Sequence, residues 1–122
     1  MKNVLPLKYQ QPYESFKHRL REMDQILAVS NDTELALKSK AMALQQFFRE
    51  QILSLQLDEL APAVQHWVQS YHVEIDKQLR LLAMDIMFLQ AARQSVTAEQ
   101  RRQQIRDRLT TLQRYCDGLL GE

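Results

Sequence analysis

Glycine is almost missing from this 122-residue chain: only Gly118 and Gly121 occur, both at the extreme C-terminus. Proline is equally sparse, and Pro6, Pro12 and Pro62 all fall at or near expected helix starts. A chain so poor in both residues belongs to an all-α protein. The single cysteine, Cys116, has no partner for an internal disulfide. It stands beside Leu112 and Leu119 on a helical apolar face, which predicts a buried thiol in place of a catalytic one. Charge of one sign is also lacking: 16 Lys and Arg face 15 Asp and Glu, for a net charge of +1. That balance gives no global pull toward nucleic acid or a membrane surface. No apolar run has the length of a signal-peptide core or a membrane span, so the expected location is cytoplasmic, without membrane insertion.

What is present is helical periodicity. From Leu60 to Gln94 the residues Ala61, Val64, Val68, Tyr71, Ile75, Leu79, Leu82, Ile86 and Leu89 recur every three or four positions. At about 100° per residue they make one stripe, on a helix of roughly 30 residues. The second half of this helix carries a further apolar set, Leu81, Met84, Phe88, Ala91 and Ala92, opposite the first. In the first half the corresponding positions are His66, Ser70, Val73 and Lys77, mostly polar. One face is covered by intramolecular neighbours; two opposed faces usually need another chain. These five residues are therefore the candidate homodimer interface.

The other helices follow the same rule. Residues 1–11 form a short apolar arm around Pro6, lying along the bundle or mobile, and residues 12–122 form one helical domain. Pro12 suits the first turn of a helix in which Tyr13, Phe16, Leu20, Met23 and Leu27 share a face as far as about Val29. The polar cluster Ser30–Thr33 ends that helix and caps the next. The second helix buries Leu37, Ala41, Leu44, Phe48, Ile52 and Leu55, with Phe47 at the edge of the face. Asp58 and Pro62 mark the third helix start, and Thr97 with Gln100 has the spacing of a capping box for the fourth. Ile105, Leu109, Leu112, Cys116 and Leu119 then line one face until Gly118 and Gly121 end it. Short connections favour antiparallel neighbours, so the expected architecture is an up-and-down four-helix bundle with a long third helix.

No chemistry-bearing motif emerges. His18, His66 and His72 form no ligand pair, and there is no Glu-x-x-His repeat of a di-iron bundle, so neither a metal nor another cofactor is expected. A phosphotransfer histidine needs small neighbours, whereas Trp67, Val68 and Tyr71 flank the two central ones. Glu74-Ile75-Asp76 followed by Leu79, Leu82 and Arg93 is superficially like the long helix of the all-α chorismate mutases. Such an enzyme needs Arg80, Arg93 and Arg101 to converge on a dicarboxylate. The simpler reading makes Asp76 and Arg80 an exposed pair one turn apart. The fourth helix is rich in arginine: Arg101 and Arg108 border its stripe on one side, Arg102 on the other, with Arg106 farther round. Arginine beside an apolar groove suits an acidic, partly apolar partner, and Trp67 is a second candidate anchor.

Residues 71–120 also carry a resemblance. Glu74-Ile75-Asp76-Lys77-Gln78-Leu79-Arg80-Leu81-Leu82, continuing through Asp85-Ile86-Met87-Phe88-Leu89-Gln90-Ala91-Ala92-Arg93-Gln94, resembles the cyanobacterial heterocyst frequency control proteins of the PatD family. So does Arg108-Leu109-Thr110-Thr111-Leu112 with Tyr115-Cys116. The resemblance implies a small non-enzymatic cytoplasmic regulator that binds the tubulin-like division protein FtsZ and affects its assembly. In filamentous strains it further implies an influence on heterocyst frequency. It supplies no binding residue that maps onto this chain.

Overall fold

A computed structural model describes residues 5–29 and 34–122, and the described residues are helical with no strand. In chain order they form α1 (Leu7–Val29), α2 (Glu34–Phe47), a five-residue π-helical turn (Phe48–Ile52), α3 (Pro62–Ala91) and α4 (Ser95–Leu120). The helices give a bundle-like fold: α1 packs on α2 and α4, and α3 packs on the same two. As α1 runs from Lys17 to Asp24, its ion-pair partners in α4 run back from Asp117 to Arg106. Among the described residues, no helix is long and apolar enough to cross a membrane.

The core is built from the apolar stripes. Tyr13, Phe16, Leu20, Met23 and Leu27 of α1 are all buried, as are Ile105, Leu109, Leu112, Cys116 and Leu119 of α4. The middle helices add Leu37, Ala41, Leu44, Phe48 and Ile52, then Val68, Ile75, Leu79, Leu82, Ile86 and Leu89. Tyr71 and Val64 are only partly buried, and Ala61 is exposed. Burial, helped by the neighbouring Asp117, pushes the Cys116 thiol up to about 12, so it is inert at neutral pH.

The helix ends depart from expectation. α1 begins at Leu7, five residues before Pro12, which lies inside the helix. Proline there leaves the Lys8 carbonyl without its amide donor. Burial of Leu5 and Tyr9, and a 2.9 Å hydrogen bond from the Tyr9 hydroxyl to the Gln56 carbonyl, tie this segment to the bundle. The apolar arm thus loses residues 7–11 to α1; Val4 and the Ser30–Thr33 cap lie outside the described residues. Pro62 does open α3, but the position before it is Ala61 with no side-chain cap, so Asp58 is not the capping residue. α4 begins at Ser95 behind an uncapped Gln94, which puts Thr97 and Gln100 within the helix and excludes the capping box.

Gly118 does not end α4 either. It lies inside the helix, where a Cβ would sit 2.9 Å from Tyr71 Cζ and closer still to the hydroxyl. Its role is to admit the Tyr71 ring. Gly121, at φ +75°, is the left-handed C-cap.

Candidate protein-interaction surface

Among the described residues, the helices packed along α3 are α2 and α4, and the face opposite its buried stripe is open. Met84 and Phe88, one turn apart, are 48% and 45% exposed; Ala91 is exposed, while Leu81 and Ala92 are half-buried at its margin. The five residues expected on a second apolar face therefore reach the surface to different degrees. Met87, 65% exposed, extends the apolar area toward α2 and was not among them.

Arg101 of α4 lies across this face, its guanidinium carbon 4.7 Å from the Phe88 ring centroid. The cation–π contact covers part of the ring with a group that remains half-buried. An arginine assigned to a partner site and a phenylalanine assigned to a dimer face thus form one surface.

The remaining candidates are dispersed. Arg106 turns to α1, its Nε 3.4 Å from Asp24 Oδ1. Arg102 is half-buried. Arg108 points to α3, where its Nε donates to Asp85 and its Nη1 donates to Gln78 Oε1 at 3.1 Å. Its side chain is only 19% exposed, so it serves the α3–α4 packing and does not face outward. Trp67 is half-buried, edge-on to Tyr71 at 5.5 Å, and Tyr71 in turn meets Tyr115 at 6.0 Å. Twenty-one positions separate it from Phe88, roughly 30 Å along α3. Trp67 and the arginines do not make a single site.

Two buried polar pairs were not anticipated. Asp85, 4% exposed, occupies a core-facing position three after Leu82 and four before Leu89. His72 similarly stands four after Val68 and three before Ile75, and is buried. Its Nε2 is 2.7 Å from the Tyr13 hydroxyl. Burial lowers the His72 pKa to about 4 and, with Cys116 nearby, raises that of Tyr13. At neutral pH the hydroxyl is hydrogen-bonded to an uncharged imidazole, linking α1 to α3 through the core. A polar residue at a stripe position is the signal that would have found both.

The groups a mutase would bring together do not converge. Arg80 Nη2 pairs with Asp76 Oδ2 at 3.2 Å on an exposed turn, Arg101 covers Phe88, and Arg93 is exposed. Among the described residues, no three His, Cys, Asp or Glu side chains are grouped so as to hold a metal ion. Comparison with known protein families, with curated proteins and with solved structures matches this chain to none of them.

Proposed function

We propose that this chain is a non-enzymatic cytoplasmic regulator of the PatD kind, an antiparallel up-and-down four-helix bundle that binds FtsZ and modulates its assembly. In a filamentous source the same activity would influence heterocyst frequency. The observation that carries the reading is the open apolar face of α3 at Met84 and Phe88, with Arg101 across it. It falls within residues 71–120, the stretch that resembles the PatD family, and a surface of this kind is suited to binding protein.

The same face is the proposed homodimer interface, with Arg101 as the charge at its edge. Full burial of a Phe or Met side chain contributes about 1.5–3 kcal/mol, and roughly half of that remains available for Phe88 and Met84. Doubled by two-fold symmetry, the pair supplies about 4 kcal/mol, no more than the lowest estimates of the entropic cost of association. The dimer is consequently weak and concentration-dependent.

Co-sedimentation with FtsZ from the same source, with and without GTP, tests the function. Enrichment in the polymer pellet only when GTP is present is the expected result. A protein that stays in the supernatant under both conditions overturns the proposal.

A further inference from the structure

A second apolar feature lies on the seam between α2 and α3. A cavity of about 130 Å³ is bounded by Ala41 and Met42 on one wall and by Ala83, Ile86 and Met87 on the other. At Gln45 it meets a second cavity of about 160 Å³, floored by Phe48 and Leu79. Together they follow α3 from Asp76 to Gln90, about 21 Å or four helical turns. Across the seam the Gln45 amide donates to the Leu79 carbonyl at 3.4 Å, a long polar bridge. Met42 and Met87 are 62% and 65% exposed on opposite walls. Their unbranched thioethers adapt to whatever apolar side chain enters between them.

The rim is cationic. Lys38 borders the first cavity, and Arg49 and Arg80 border the second. The one acid on the rim, Asp76, is already paired with Arg80; Lys38 and Arg49 make no ion pair among the described residues. We infer that this seam is a docking groove for an acidic amphipathic helix of a partner protein, with apolar anchors between the methionines and carboxylates against Lys38 and Arg49. Charge decides against a second copy of this chain, because two-fold pairing of the groove with itself would set the same cations against one another. The inference rests on the protein-binding role proposed above but does not require the partner to be FtsZ.

Methionine methyl groups report directly on it. In protein labelled with 13C at the methionine methyls, Met42 and Met87 mark the groove, Met84 the outer α3 face and Met23 the core. The probe is a synthetic helical peptide of about 14 residues with leucines on one face and glutamates on the flanks. A counterpart carries lysine for every glutamate. The acidic peptide is expected to shift the Met42 and Met87 resonances and leave Met84 and Met23 in place. Lys38→Glu with Arg49→Glu should weaken its binding at least about tenfold. The inference is overturned by an absence of shifts, by equal affinity for the lysine peptide, or by shifts that appear first at Met84. Groove resonances that move on dilution of the protein alone would overturn it in favour of a second copy. Failed FtsZ co-sedimentation leaves the groove standing, whereas a failed peptide titration leaves FtsZ binding to the outer face.

Discussion

Replacing Arg108 by methionine should destabilise this protein far more than replacing any exposed arginine. The methionine side chain would keep much of the apolar stem but leave the Asp85 carboxylate, 4% exposed, without its cation. Breaking a buried pair from one side costs about 3–5 kcal/mol, because the surviving charge keeps its desolvation penalty. Asp85→Asn is the gentler break. Arg108 retains its bond to Gln78 and some access to water, so the loss should be about 1–2 kcal/mol. Removing both charges, as Asp85→Leu with Arg108→Met, should leave stability close to that of the parent. Urea unfolding followed by far-ultraviolet circular dichroism measures all four proteins. With a slope of about 2 kcal/mol per molar urea, the Arg108→Met midpoint should fall by roughly 1.5–2.5 M. A single Arg108→Met variant within about 0.5 kcal/mol of the parent would refute the reasoning, as would equal losses for the two single variants. Arg106→Glu provides the contrast: it breaks only the exposed pair with Asp24 and should cost less than about 1 kcal/mol.

Phe88→Asp should give a folded monomer at protein concentrations where the parent dimerises, and light scattering that still reports a dimer would remove the outer α3 face from the interface. Stability should fall as the pH drops from about 6.5 to about 4. In that window the unfolded state takes up a proton at His72 that the folded state refuses, a contribution on the order of 3 kcal/mol present above it and lost below it. His72→Gln should flatten the profile relative to the parent, and identical profiles for the two would exclude His72 as the cause. Gly118→Ala gains about 1 kcal/mol of helix propensity but forces Tyr71 from between Trp67 and Tyr115, so it should be net destabilising in urea. Tyr71→Phe should restore part of the loss, since the hydroxyl is the nearest atom; a Gly118→Ala variant more stable than the parent would contradict this packing.

Helical period alone located the buried faces, because a core-facing stripe is a local property of each segment. Tyr13 through Leu27 and Ile105 through Leu119 therefore read correctly without knowledge of any neighbour. Pairings between helices are different. Arg108 and Asp85 are 23 positions apart, and Tyr13 and His72 are 59 apart, so each pair exists only once the axial setting of two helices is fixed. The π turn was equally hidden: it opens at Phe48, and Phe47 and Phe48 both meet Phe16, at 6.1 Å between centroids. The α2–α3 seam borders that turn, and its two walls, Met42 and Met87, come together only when the two helices pack. Pro12 shows the same competition in energetic terms. An interior proline costs a helix about 3 kcal/mol, yet burial of Leu5 and Tyr9 contributes roughly 2 kcal/mol each, so α1 extends back through the proline that local rules assign to its first turn.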